Sequence, residues 1–83
     1  MDKKLLLENI SKIHTTELGK QRISKNLNIE LDNAVKYCII KILSPDCIIT
    51  RNGKNWYCCI DNIVITVNAN SFTIITAHRK DKK

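Results

Sequence analysis

Residues 47–79 read CIITRNGKNWYCCIDNIVITVNANSFTIITAHR. β-Branched and aromatic residues dominate this stretch, and Asn52-Gly53, Asp61-Asn62 and Ala69-Asn70 punctuate it. The pattern predicts four strands, Cys47–Arg51, Asn55–Ile60, Ile63–Asn68 and Phe72–Arg79, joined by tight turns into an antiparallel meander. Asn-Gly is a strong hairpin signal. With two-residue turns, Ile49 opposes Trp56, Cys58 opposes Ile65, Trp56 opposes Val67, and Val67 opposes Phe72. Directly opposed residues share a face. One face therefore collects Cys47, Ile49, Trp56, Cys58, Ile60, Ile63, Ile65, Val67, Phe72, Ile74, Thr76 and His78. The other collects Ile48, Thr50, Asn55, Tyr57, Cys59, Val64, Thr66, Asn68, Thr73, Ile75, Ala77 and Arg79. The first is almost wholly apolar and the second is rich in hydroxyls and amides, as expected of a sheet covered on one side only.

Before Pro45 the apolar period is that of a helix. Leu6, Ile10 and Ile13 mark one face of a helix from about Asp2 to Ile13. Thr16 suits an N-cap for a second helix, about Glu17–Leu27, with Leu18, Ile23 and Leu27 facing inward. Asp32 is the expected N-cap of a third, in which Val35, Cys38, Ile39, Ile42 and Leu43 form the strongest periodic stripe of the chain. Ser44-Pro45 ends it, because the residue before proline disfavours helical backbone. The expected fold class is α+β, with three N-terminal helices packed on one face of a four-stranded antiparallel β-meander. Residues 1–79 form a single domain in this reading, and 80–83 a basic disordered tail.

Eighty-three residues provide for one hydrophobic core. Lys and Arg number 14 against 8 Asp and Glu, a net charge of +6; the tail from Arg79 onward carries +3 of it. A basic balance favours polyanionic partners. Cys38, Cys47, Cys58 and Cys59 show neither C-x2-C nor C-x4-C spacing, so no zinc site is expected. Glu8 interrupts the leucines after Lys4, so no signal peptide is expected, and no apolar run approaches the roughly 18–20 residues of a membrane span. The expectation is a cytoplasmic protein with reduced cysteines, no cofactor, no metal and no membrane contact.

His14 and His78 are the only histidines, and a pair of imidazoles can serve as base and acid in cleaving RNA through its 2′-hydroxyl. Lys20, Arg22 and Lys25 crowd the second helix, where their donors suit phosphate. On the open sheet face, Tyr57, Thr66, Thr73 and Arg79 suit base stacking and phosphate contacts. Ile48, Val64 and Ile75 on the same face are either ordinary half-exposed strand residues or the mark of a homodimer interface. Trp56 is read as core. No Gly-rich phosphate loop, nucleophile elbow or paired-carboxylate motif occurs.

The stretches IHTTELG at Ile13–Gly19, RISKNL at Arg22–Leu27, ITRNGKNWY at Ile49–Tyr57, IVITVNA at Ile63–Ala69 and TIITAH at Thr73–His78 resemble a family of small bacterial proteins known only as a domain of unknown function. That resemblance covers nearly the whole chain and implies a shared fold. In element order the chain is also loosely similar to the barnase–EndoU–colicin–RelE superfold of metal-independent nucleases. That likeness implies that Thr76 and His78, with His14 and Arg22 from the helices, surround a scissile phosphate. His78 falls on the helix-covered face, however, so it would reach such a site only at the sheet's edge. The functional expectation is engagement of RNA or another phosphate-bearing ligand, in ribonuclease-like form at its most specific. Two alternatives stand beside it. One is a non-catalytic nucleotide- or protein-binding module using the open sheet face. The other is a helix-turn-helix DNA-binding protein with Asn33, Lys36 and Lys41 on its recognition helix.

Overall fold

The computed structural model describes residues 2–80. Three α-helices, α1 (Asp2–Glu8), α2 (Glu17–Leu27) and α3 (Ala34–Leu43), precede four strands. These are β1 (Ile48–Asn52), β2 (Asn55–Ile60), β3 (Ile63–Asn68) and β4 (Ile74–Arg79). They form one antiparallel sheet in the order β1-β2-β3-β4, an α+β architecture. Of the expected basic tail, Asp81, Lys82 and Lys83 lie outside the described residues.

Local chemistry sets the helix ends. Thr16 is the N-cap of α2, its hydroxyl accepting from the Gly19 N–H at 3.0 Å. Asn28 closes α2 in the left-handed region at φ 58°, a conformation asparagine tolerates. The first helix stops at Glu8, short of Ile13, and a 3-10 turn (Ile10–Lys12) follows. Asn9 sits at the break, where its side-chain amide donates to the Leu5 carbonyl at 2.9 Å, the kind of local bond that competes with helix continuation. Asp32 is not the cap of α3. It lies inside a 3-10 turn (Leu31–Asn33), and Asn33 caps α3 without a side-chain bond. Leu18, expected inside, is 57% exposed, and Leu43 is also exposed. The inward face of α2 is Gly19, Ile23 and Leu27, and that of α3 is Ala34, Cys38 and Ile42.

These helical residues share one core with Leu6, Ile13 and the inner face of the sheet, including Trp56, Cys58, Ile65, Val67 and Ala77. Full burial of each large apolar side chain contributes roughly 1.5–3 kcal/mol before entropy is subtracted.

Asp61 (φ 52°) and Asn62 (φ 64°) are both left-handed, as a two-residue type I′ hairpin requires. They set Ile60 opposite Ile63, Cys58 opposite Ile65 and Trp56 opposite Val67. The β1–β2 turn is Gly53-Lys54, not Asn52-Gly53, because Gly53 is the residue at positive φ (65°). Ile49 therefore opposes Cys58, and Arg51 takes the place opposite Trp56. This shift of two residues leaves every β1 side chain on its expected face.

The β3–β4 pairing departs further. Residues 69–73 form a longer loop with Phe72 at φ 60°, so Phe72 and Thr73 precede the strand, and Val67 opposes Ile74. Thr66 then opposes Thr76, leaving Ile75 as the extra residue of a β-bulge. One extra residue inverts the alternation beyond it. Ala77 turns to the helix side opposite Ile65 and Arg79 opposite Ile63, while Thr76 and His78 join the open face. Without the bulge, Thr76 and His78 would face the core, where unpaired polar groups are unfavourable.

The edge of β4 is closed by the segment leading into α2. The His14 N–H donates to the Phe72 carbonyl (3.2 Å), and the Ile74 N–H donates to the His14 carbonyl (2.7 Å). Thr15 Oγ1 donates to the Ile74 carbonyl (2.8 Å), and Asn26 Nδ2 to the Ala77 carbonyl (3.2 Å). Gly19 is buried here, and a Cβ on it would overlap Thr15 Oγ1. Gly19→Ala should therefore destabilise the protein by about 1–2 kcal/mol despite the better helix propensity of alanine. In a Thr15→Ala background the same substitution should become neutral or stabilising, a double-mutant cycle that urea denaturation reads directly.

Candidate functional site

The register writes the open face as three cross-strand rows. Asn52, Asn55 and Asn68 form an amide row at the loop end of the sheet. Thr50, Tyr57, Thr66 and Thr76 form a hydroxyl row across the middle. Ile48, Cys59, Val64 and His78 form a mostly apolar row at the far end. Tyr57 links two rows, because its hydroxyl meets Asn55 Nδ2 at 3.3 Å. Asn55 stands two residues back on the same strand, so the phenol ring must lean along β2. The central Thr66 beside it is only 6% exposed. Asn55 Oδ1 is buried and has no hydrogen-bond partner; whichever way the amide is turned, only one of its ends meets Tyr57.

At the loop end, the β1–β2 turn and the β3–β4 loop are joined by the Ala69 N–H donating to the Lys54 carbonyl at 2.7 Å. On the helix side of this rim, Trp56 and Phe72 pack with ring centroids 5.6 Å apart. Lys12 Nζ lies 5.7 Å from the Phe72 centroid and the Arg51 guanidinium 5.5 Å from that of Trp56. Each cation faces an aromatic ring, an attraction that helps to position it, and Arg51 Nε also donates to the Gly53 carbonyl at 2.9 Å. Lys54, in the turn itself, is exposed. At the opposite end of the sheet Lys41 bonds Asp61 at 2.6 Å. That bond is the main cause raising the Lys41 pKa above its ordinary value.

His14 belongs to the loop end. Its Nδ1 lies 2.8 Å from the Lys12 carbonyl and therefore carries a hydrogen, since a carbonyl only accepts. Its Nε2 lies 3.1 Å from Thr73 Oγ1, which lies 2.7 Å from Ser71 Oγ, which in turn lies 3.2 Å from Asn68 Oδ1. Two hydroxyl hydrogens serve these three contacts.

His78 lies at the other end of β4, roughly 15 Å away at the rise of a strand. The two histidines do not converge. Thr76 and His78 sit on the open face, whereas α2, which carries Lys20, Arg22 and Lys25, packs on the other. Arg22 and Lys25 are exposed, and Lys20 lies 3.8 Å from Glu17. Arg79, nominated for the open face, instead donates to the Leu27 carbonyl at 3.2 Å. There it satisfies the C-terminal end of α2, where a cation is favoured. Thr73 sits in the loop, and Tyr57 and Thr66 hold the expected face. Lys12, Arg51, Lys54 and Ser71 were not nominated. Arg51 carried a readable signal: it shares strand parity with Cys47 and Ile49, and an arginine on the apolar face needs an aromatic or acidic neighbour.

Hollows of about 530 Å³ beside Lys3, Lys4, Leu7 and Glu8, and of about 270 Å³ beside Asn33, Lys36, Tyr37 and Ile40, lie away from this end. Among the described residues no group of His, Cys, Asp and Glu is gathered to hold a metal ion. No helix among them is long and apolar enough to cross a membrane.

The model of the family described as Protein of unknown function (DUF3781) matches residues 7–78. The chain belongs to this family. The DUF3781 match spans every element from the end of α1 to His78 and so includes both the rim and the open face. Comparison with the curated proteins and with the solved structures gives no match.

The four thiols are free. Burial pushes Cys38 and Cys58 up to about 12 and also raises Cys47. An unfolded thiol ionises near pH 9 while these keep their protons, so their contribution is complete below pH 9 and is lost toward pH 12. Urea unfolding should show stability falling over that window by about 1.4 kcal/mol per pH unit for each such thiol. A Cys38→Ala, Cys58→Ala double variant should show a shallower decline.

Proposed function

We propose that this DUF3781 protein binds RNA or another phosphate-bearing ligand at the loop end of its sheet, as a binding module without a cleavage step. The carrying observation is the rim itself: Lys12 is set over the Phe72 ring, with the exposed Lys54 in the neighbouring turn and His14 at the adjoining edge. Cations positioned in advance lose little side-chain freedom when a phosphate arrives, which favours binding. Of the carboxylates near Lys12 in sequence, Glu8 lies 4.0 Å from Lys4 and Glu17 lies 3.8 Å from Lys20. Asp61 is held by Lys41 at the far end.

Binding is favoured over ribonuclease-like cleavage by the distance between the imidazoles. A base and an acid acting on one phosphate must both lie within hydrogen-bond reach of it, and His14 and His78 occupy opposite ends of β4. A DNA-reading role for α3 receives no comparable support, since Lys41 is committed to Asp61.

The test is titration of a fluorescein-labelled single-stranded RNA by anisotropy across a series of salt concentrations. A Lys12→Gln, Lys54→Gln variant should bind several-fold more weakly, and its log–log salt slope should be smaller by about 1.4. Lys20→Gln, Lys25→Gln on α2 should leave affinity within twofold. Equal binding by the Lys12, Lys54 double variant and the unaltered protein would refute the assignment of the rim.

A further inference from the structure

We infer that a second copy of this chain covers the open sheet face, the two sheets stacking about a twofold axis that runs along the strands. The inference is independent of the phosphate reading of the rim and uses none of its cations. Three observations carry it. First, the face holds no fixed charge. None of the eleven residues in its three rows is Asp, Glu, Lys or Arg, whereas the 27% charged share of the chain would place about three among them. Two copies of a chain carrying +6 repel each other, and an uncharged face is where they meet at least cost. A nucleic acid or an acidic protein would need cations that this face lacks. Second, the face is flat. Threonines hold three of the four middle-row positions, and Thr66 among them is only 6% exposed. Tyr57 leans along its own strand to Asn55. A flat layer of short side chains suits a second sheet packed about 10 Å away. Third, uncovered apolar groups gather in the last row. Ile48, at 68%, is the most exposed large apolar side chain among the described residues, and Cys59 and Val64 in its row are half-buried.

The rows select the axis. A twofold along the strands, between β2 and β3, lays each row on its own counterpart and β1 over β4 of the other copy. Cys59 then meets the partner's Val64, Ile48 meets the partner's His78, and the hydroxyl rows face each other. An axis across the strands would instead set the amide row on the apolar row and leave its donors and acceptors unpaired, which is unfavourable. Four strands about 4.8 Å apart and six residues long make a patch of roughly 19 by 20 Å. That area lies at the small end of specific interfaces, so the dimer is a reversible one, with a dissociation constant on the order of 100 µM.

Sedimentation equilibrium tests the association. Between about 10 µM and about 1 mM, the mass of the unaltered chain should rise from the 9.5 kDa of the monomer toward twice that value. Ile48→Lys and Thr50→Lys alter exposed positions of β1 and bring like charges together across the interface. Each should weaken the dimer at least tenfold. Ile40→Lys, at a 57% exposed position of α3, should leave it within twofold, as should Lys12→Gln, Lys54→Gln at the rim. NMR of the unaltered chain gives a second reading that no substitution can disturb. On dilution, the amide signals of Thr50, Tyr57, Cys59, Val64 and Thr76 should move and those of α2 and α3 should stay. A mixture of labelled and unlabelled protein should show contacts between Cys59 of one copy and Val64 of the other. A monomer at every concentration would overturn the inference, as would a dimer that Ile40→Lys dissolves and Ile48→Lys spares. Intermolecular contacts between the apolar and amide rows would overturn the axis. Single-stranded RNA that shifts the same amide signals in dilute protein would give the face to RNA and overturn the inference, leaving the rim to its own salt titration.

Discussion

His14 exchanges backbone hydrogen bonds on both sides of Thr73, giving its N–H to Phe72 and receiving that of Ile74. This bracket fastens the helical half of the chain to the last strand across nearly sixty residues. Once it is made, Thr15 and Asn26 fall within reach of the Ile74 and Ala77 carbonyls, and α2 lies along the edge of β4. A sheet edge with unpaired carbonyls and amides invites strand addition; here the helical arm supplies the partners. The bracket also sets Gly19 against Thr15 and aims the imidazole of His14 at Thr73. Loop, edge and helix position are thus consequences of one pair of backbone bonds.

The bulge at Ile75 depends on the same arm. With Ile74 held by His14 and Thr15, the strand must still present a small side chain to α2 further along, and Ala77 is the residue that fits beneath Asn26. Inserting Ile75 without a partner meets both demands. It also releases Thr76 and His78 to solvent and turns Arg79 toward the end of α2. Sequence alternation alone cannot reveal such a slip, because TIITAHR reads as a regular strand in either phase. The strands before it were legible for the opposite reason. Asp61-Asn62 enforces a two-residue turn, and the apolar residues on either side agree with the phase it sets.

The helices were legible where an amphipathic stripe coincided with a capping group, as at Thr16, and less so where backbone carbonyls did the capping. The 3-10 turn before α3 satisfies its amide groups without Asp32, leaving no residue type to read. The candidate site was legible in its parts only. Tyr57, Thr66, Thr73 and His14 could be nominated from residue chemistry and strand phase. The rim could not, because Lys12 and Arg51 are far apart in sequence and meet only through the rings of Phe72 and Trp56. Phe72 itself reaches Trp56 from a left-handed loop position that strand logic does not anticipate.

Among the described residues, Asn55 Oδ1 and Trp56 Nε1 are buried side-chain polar atoms without a partner. They belong to consecutive residues and, by strand alternation, to opposite faces of β2. Each unmade bond costs about 1–3 kcal/mol in a buried setting, a large fraction of the stability of a domain this small. A Phe in place of Trp56, or a Thr in place of Asn55, would remove the orphan atom while keeping a residue suited to a strand. The indole has a compensating role, since its larger ring holds Arg51 and meets Phe72. The Asn55 amide has a smaller one, its single bond to Tyr57. Chains tolerate such local losses of stability where function uses the groups concerned, and both losses fall at the loop end, where the cations stand.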